Sequence, residues 1–425
     1  CMYERAHLLM RMSKNFLALL IAALISSTAP AQAIEIPPTF EFTGNGYGHG
    51  VGMSQIGAKA RAVSGESATA ILNYYYKDVL IAPYVDTHTI RVNIAHLVKS
   101  VAFTTHTPGA RIDVFEGDVG NSTQSLPISS FATKKKATFT IATLPKGKSL
   151  TLRWVGENPI ITMNNGSVST RYKYGYITIK VVKGAMEVTN SLALRDEYLW
   201  GISEVPSSWP AAMLEAQAIA SRSYALSKLS VIRSSCDCQV YSHITDQNFV
   251  GYSKEIERTY GIKWKEAVNR TFVDSATALT ITLDGKPISA FYSSSSGGAT
   301  QNVKDVWGSS IAYLQGVPDP WSLDININPR FAYWERVVTQ KDMAAAFGLK
   351  DVFTFRIDSR SKTGSIMSIT AFSTEGKVAS LTGEIFRSRV KLPSTWIKEP
   401  LIIELVVEKF DCGRTKSPVR LFCYE

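Results

Sequence analysis

The stretch Glu204-Val205-Pro206-Ser207-Ser208-Trp209-Pro210, followed by Ala211 to Leu229, sets a lone carboxylate just ahead of a strongly patterned helix. Pro210 suits a first helical turn, which has a spare N–H and wants the φ that proline already holds. Ser208 or Trp209 then falls at the cap. Leu214, Ala218, Ile219, Ala225, Leu226 and Leu229 recur at roughly helical spacing, with Gln217, Arg222 and Lys228 at polar positions. That spacing predicts an amphipathic helix with one buried stripe. Its many small residues, from Ala211 and Ala212 to Ser221 and Ser223, suit close packing against a neighbouring backbone. Two roles are open to Glu204. It can favour the positive end of the helix dipole, or, partly buried beside Val205 and Trp209, it can stay protonated near neutral pH as acid catalysis needs.

Upstream, the alternating run Phe40-Glu41-Phe42-Thr43 reads as a strand and leads into Gly44-Asn45-Gly46-Tyr47-Gly48-His49-Gly50-Val51-Gly52-Met53-Ser54-Gln55. Five glycines between Gly44 and Gly52 mean a backbone that adopts positive φ or approaches another group closely. No offset fits the G-x-G-x-x-G register, and no strand and helix frame a Walker loop, so a nucleotide site is not expected. Residues 88 to about 190 alternate as strands, among them Ile90–Ile94, Ala137–Ile141, Leu150–Trp154 and Tyr176–Val182, separated by turns such as Asn164-Asn165-Gly166 and Lys146-Gly147-Lys148. After the central helix come a loop-rich region, a second helix over Trp264–Ser275, and a hairpin of Ala278–Leu283 with Ile288–Tyr292 around Asp284-Gly285-Lys286. Another helix is expected near Gln340 to Phe347.

The 425 residues, 45% hydrophobic, are enough for a substantial core. The net charge of +10 favours anionic surfaces, but the basic residues are scattered, with Lys134-Lys135-Lys136 the one run, so nucleic acid is not an expected partner. Arg11 and Lys14 before the apolar Phe16–Ile25 and the small-residue end Ala31-Gln32-Ala33 have the layout of a secretory signal cleaved after Ala33. An uncleaved anchor is the alternative, although the segment is short for a membrane span. In an oxidising compartment Cys412 and Cys423 are the favoured pair, while Cys236 and Cys238 close a small ring or pair elsewhere.

Four runs closely resemble one family. Tyr198-Leu199-Trp200-Gly201-Ile202-Ser203-Glu204-Val205-Pro206 and Leu214-Glu215-Ala216-Gln217-Ala218-Ile219-Ala220-Ser221-Arg222-Ser223-Tyr224-Ala225 are similar to the core of the stage II sporulation protein D family, which includes the amidase enhancers. The glycine run from Gly46 to Gln55, followed by Ile56-Gly57-Ala58 and a helix continuing to Tyr76, resembles that family's Gly-aromatic-Gly-His-Gly-Val-Gly-Met-Ser-Gln motif. So does Ser294-Ser295-Ser296-Gly297-Gly298 resemble its Ser-Ser-Ser-Gly-Gly segment, with Asp305-Val306-Trp307-Gly308 after it. Many members carry the Gly-His-Gly motif at the far C-terminal end, so here it looks permuted to the N-terminal side. The segment Phe40 to Tyr76 is then expected to pack on the main domain, near Arg387 to Trp396, which resembles the family's closing element.

The resemblance implies an α+β, β-rich mixed domain with a central catalytic helix and a β-strand-rich inserted or flanking subdomain. It divides the chain into a signal peptide (1–33), the Gly-His-Gly segment (34–87), a β-rich region (88–190), the core (191–410) and a tail (411–425). Active members are lytic transglycosylases whose Glu is the catalytic acid/base, a position held here by Glu204. His49, Gln55, Arg222, Tyr224, Ser294, Ser295, Ser296, Gly297, Asp305 and Trp307 are implied to contact the glycan. Hydroxyls and an aromatic face suit sugars. The implied partners are peptidoglycan glycan strands and a cell-wall amidase, for a secreted or wall-associated monomer without a cofactor. A non-catalytic amidase enhancer is the other reading the resemblance allows.

Other chemistry is weaker. The serine run lacks G-x-S-x-G. Cys236, Cys238 and His243 form a possible zinc set, but family members that bind zinc place the His before the cysteines with wider spacing, so a disulfide or free thiols is the favoured reading. Two-carboxylate hydrolysis requires a second acid, for which Asp246 and Asp305 are the candidates. An internal attack by the sugar's own C6 hydroxyl needs only one.

Overall fold

The computed structural model describes residues 35–144 and 149–398. The expected leader, the Lys146-Gly147-Lys148 turn and the Cys412–Cys423 pairing lie outside the described residues. The architecture is α+β and rich in strands.

The alternating runs between Thr89 and Ala193 build two antiparallel sheets. One has the strand order Thr89–Val98, Ala185–Ala193, Tyr176–Val182, Ser149–Val155, Arg111–Glu116 and Ser129–Ala132, with the short Val240–Tyr241 added in parallel on the first edge. The other joins Ser169–Tyr172, Ile161–Asn164, Ser100–Thr105 and Lys136–Thr140. The inward residues of both, such as Ile112, Leu152 and Ile177 from one and Phe103, Ala137 and Met163 from the other, share a single core. The turn after Asn164 is built as its residues predict. The Asn164 side chain accepts from the Gly166 N–H, and Asn165 accepts from Ser167 and Val168, so the loop closes on its own side chains.

That core continues into the central helix, Ala211–Lys228, where the structure departs from the amphipathic expectation. Every residue from Met213 to Leu226 except Glu215 is buried, Gln217, Ser221, Arg222 and Ser223 included. The helix is enclosed by Ala68–Tyr75, Gly261–Arg270 and the strand Thr277–Leu283. Its polar positions are inside because each has a built partner. Arg222, for instance, donates to Asp86, to Thr271 Oγ1 and to the Leu279 carbonyl. Pro210 itself takes the cap position, one residue later than Trp209 and two later than Ser208.

Three further boundaries differ. The helix beginning at Gln55 ends at Val63, turns through Gly65 at φ +91° and restarts at Ala68 behind the Ser67 cap. The second helix runs from Gly261 to Arg270 and stops short of Ser275. The hairpin after Thr277–Leu283 pairs only Lys286 and Pro287, with one further bond from the Ile288 N–H to the Ile281 carbonyl. The chain then leaves that sheet, and Tyr292–Ser293 pairs in parallel with Met53–Ser54 instead.

A second, smaller core is formed by Thr354–Arg360, Ile366–Phe372 and Val378–Thr382 with the helices Gln340–Phe347 and Gly383–Val390. The strand Thr39–Asn45 lies over it, paired with Trp334–Thr339 on one side and Trp396–Ile397 on the other, so Phe40 and Phe42 are buried among Phe355 and Phe386. Among the described residues no helix is long and apolar enough to cross a membrane.

Candidate active site

The loop that carries Glu204 is clamped from one direction by Asn248. Ser203 N–H donates to the Asn248 carbonyl at 2.7 Å, and Asn248 Nδ2 donates back to the Ser203 carbonyl at 2.7 Å. Asn248 N–H then donates to Glu204 Oε1 at 2.7 Å, and the Tyr292 hydroxyl donates to the same oxygen at 3.1 Å. Its hydrogen bonds therefore come from a facing loop and a short strand rather than from the N–H groups of the helix that follows. Below it, the buried Lys254 ammonium donates to the Val205 carbonyl at 3.0 Å and to Glu257 at 2.7 Å, and Glu257 accepts from Ser207 Oγ. Burial pushes the Glu204 carboxyl above the ordinary carboxylate range, and the two hydrogen bonds work against that shift.

Tyr292 is the end of a buried polar chain. Gln247 Nε2 donates to its hydroxyl at 2.9 Å, while Gln247 Oε1 accepts from Tyr198 at 2.8 Å. Ser221, whose carbonyl accepts from Gln247, accepts at Oγ from Gln217, and Gln217 in turn accepts from Gln55. The polar residues inside the central helix thus link the glycine-rich motif to the carboxylate.

Glu204 opens on a cavity of about 520 Å³ lined also by Tyr47, His49, Gln55, Tyr224, Ile244, Asp246, Phe291, Tyr292, Ser294, Trp307 and Arg387. The glycine run brings His49 there. Gly50 and Gly52 have φ of +72° and +76°, and an added Cβ would strike the Trp396 ring at 2.0 Å in the first case and the Phe291 carbonyl at 1.9 Å in the second. Only glycine therefore lets this loop lie against both. His49 Nδ1 accepts from Val51 N–H at 3.0 Å, which leaves the proton on Nε2. Burial, helped by Arg387, lowers its pKa to about 4, so it is a neutral donor. Its ring packs on Trp307 at 5.0 Å, and Trp307 on Phe291 at 4.7 Å, making one aromatic wall.

Of the residues singled out in the sequence, Glu204, His49, Gln55, Tyr224, Ser294 and Trp307 meet at this cavity. Arg222 does not line it; it is fully buried in an ion pair with Asp86, which also takes Arg195. Ser295 and Ser296 are buried, the latter donating to Asp319. Gly297 lies under the Trp396 ring, where a Cβ would stand 2.1 Å away, and Asp305 sits on the short helix Val303–Trp307 outside the lining.

Asp246 lines the cavity but both its oxygens are committed, one to the Tyr224 hydroxyl and the other to Arg233 and the Tyr241 N–H. Cys236 and Cys238 are bonded to each other, so neither offers a thiolate for zinc. Sequence reading missed Tyr292, Asn248, Lys254 and Arg387 as members of the site. Tyr292 adjoins the serine run and its place could have been suspected; the other three carry no local signal.

Residues 182–274 match the family described as SpoIID, stage II sporulation protein. Over 152 residues the chain is 30% identical to the stage II sporulation protein D of Bacillus subtilis (strain 168), covering 34% of this chain and 44% of that protein. Over 206 residues it is 26% identical to the amidase enhancer of the same organism, covering 44% of this chain and 26% of that one. An uncharacterized protein of Brachyspira hyodysenteriae is 29% identical over 167 residues, 36% of this chain and 42% of its own. The chain thus spans less than half the length of these relatives. No solved structure matches it. The segment that holds Glu204 and the central helix places the similarity of this chain in the stage II sporulation protein D and amidase-enhancer family.

Proposed function

We propose that this chain is an exported lytic transglycosylase of the bacterial cell wall, cleaving the MurNAc–GlcNAc linkage with Glu204 as its one acid/base. The observation that carries the reading is the placing of two donors on Glu204 Oε1, while Oε2 has no protein partner among the described residues. Hydrogen bonds to one oxygen favour charge there and leave the proton on the other. Burial raises the pKa of the carboxyl and so favours its keeping that proton, as an acid needs. The layout of the N-terminal segment supports export.

Glu204 then gives its Oε2 proton to the bridging oxygen as the C1–O bond breaks. The resulting carboxylate faces an oxocarbenium-like sugar and takes the proton of the C6 hydroxyl. O6 closes on C1 to give a 1,6-anhydro ring, Glu204 is protonated again, and no water is consumed. The internal nucleophile supplies proximity that a bound water would otherwise require. Asp246 cannot serve as a second base while it holds Tyr224 and Arg233. His49, Gln55, Tyr224, Ser294 and Trp307 bind the strand, with the Trp307 face against sugar C–H groups.

The test is incubation of wild-type and Glu204→Gln protein with peptide-free glycan strands, reading anhydro-ended fragments by mass spectrometry. Undiminished product from the variant overturns the assignment. Because one relative is named an amidase enhancer, the same two proteins mixed with wall and an amidase give the second reading its test. Stimulation that survives the loss of Glu204, without anhydro product from either protein, favours an accessory role.

A further inference from the structure

Beside the main cavity lies a second one of about 260 Å³, lined by Ser227, Lys228, Ser230, Arg233, Gln239 and Asp246 with Val231. Asp246 lines both. The Lys228 Nζ stands 4.8 Å from the Tyr224 ring centroid and 5.7 Å from that of Phe291, two rings of the main cavity wall. Lys228 thus lines the smaller space and packs on two rings that wall the larger one.

Lys228 is half-buried, and its hydrogen-bond partner is the Ser289 hydroxyl at 3.3 Å, itself bonded to Ser227 Oγ at 3.0 Å. Among the described residues no carboxylate stands within ion-pair distance of it. The nearest anion in the lining, Asp246, is committed to Arg233 at 2.5 Å. Aromatic faces compensate a desolvated ammonium only in part, so the arrangement favours an incoming anion. Burial loosens the proton of Lys228 and Arg233 adds to that effect, while Asp246, shared with Arg233, offsets it only in part. Arg233 also lines this space, and its Nε is buried without a hydrogen-bond partner.

We infer that this annex takes a carboxylate carried on the branch of the sugar bound in the main cavity, with Lys228 as its cation and the Ser227 and Ser230 hydroxyls beside it. The inference rests on the glycan reading above. A MurNAc unit offers that chemistry from two sources: the lactyl carboxylate when the sugar is free of peptide, or a carboxylate of a peptide attached there.

The experiment measures binding by calorimetry with the Glu204→Gln protein, so that no ligand is turned over. Three ligands of equal length are compared: a chitooligosaccharide, a peptide-free MurNAc–GlcNAc fragment and a peptide-bearing one. Each is repeated with Lys228→Met added, and again with Lys228→Gln. The expectation is a preference of about tenfold or more for a carboxylate-bearing ligand over the chitooligosaccharide, lost in both lysine variants while chitooligosaccharide affinity is kept. Preference for the peptide-free fragment assigns the lactyl carboxylate; preference for the peptide-bearing one alone assigns the peptide. Equal affinities, or a preference that outlives Lys228, overturn the inference and leave the glycan reading standing. Failure of all three ligands to bind overturns both.

Discussion

A carboxyl that must be an acid at neutral pH is a liability to the fold that houses it. Glu204 has a folded pKa above the 4.5 of an ordinary glutamate. Below 4.5 both states are protonated and folding is unaffected. As pH rises past that value the unfolded chain sheds its proton first, and stability falls until the folded pKa is passed. The neutral isostere escapes this. Glu204→Gln is therefore expected to melt above wild type at pH 7, with the gap closing as pH falls below about 4.5, while losing about 10²–10⁴ in rate. Thermal melts across pH, set beside the rate, check both halves. Tyr292→Phe acts on the same atom with the opposite emphasis. It removes a donor that favours the ionised form, so the Glu204 pKa rises further. The basic limb of the kcat/KM profile, where the acid loses its proton, should then move to higher pH; a limb that stays or moves down would deny Tyr292 this role.

Elements rather than single residues hold that acid in place, and here the sequence was only partly legible. Period-two alternation located the strands around Ile90, Leu150 and Ile177 because those apolar side chains face the core, although Asn93, Thr151 and Thr178 between them are buried too. The central helix was found by its spacing but misjudged in its surroundings. Gln217 and Arg222 look like a solvated face until their partners, Gln55 and Asp86, are known. Glu204 could be suspected from its run, whereas Lys254, fifty residues on, gives no sign that it braces the Val205 carbonyl. Its removal tests the brace. Lys254→Met leaves the carbonyl and Glu257 without their cation, a loss of about 1.5–3 kcal/mol for hydrogen bonds to a charged group. In urea titrations that loss should be seen directly. The expected kinetic mark is a lower kcat with KM little changed, since the acid is misplaced while the cavity walls stay.

At the scale of the whole molecule, the glycine-rich loop, the serine loop and the C-terminal strand come from three distant parts of the chain and meet on one side chain. Trp396 is 4% exposed; its ring fills the space beside Gly50 and Gly297, and its Nε1 donates to the Thr363 carbonyl at 3.1 Å. No local pattern announces such a wedge, since the glycines it requires lie about a hundred and more than three hundred residues away. They were readable only as positions where a backbone comes close to something. Trp396→Ala should lower stability by about 3–5 kcal/mol, the usual loss for a buried tryptophan. Stability alone would not separate the wedge from ordinary core, so Ile369→Ala serves as the comparison. Ile369 is fully buried in the second core and should lose about 2–5 kcal/mol. Measured at low temperature, where both variants remain folded, chitooligosaccharide affinity should fall for Trp396→Ala, because the loop that presents His49 loses its support, and hold for Ile369→Ala. Equal affinity in the two variants would mean that the loop keeps its shape without the ring, and that the Met53–Tyr292 strand pairing suffices to fix it.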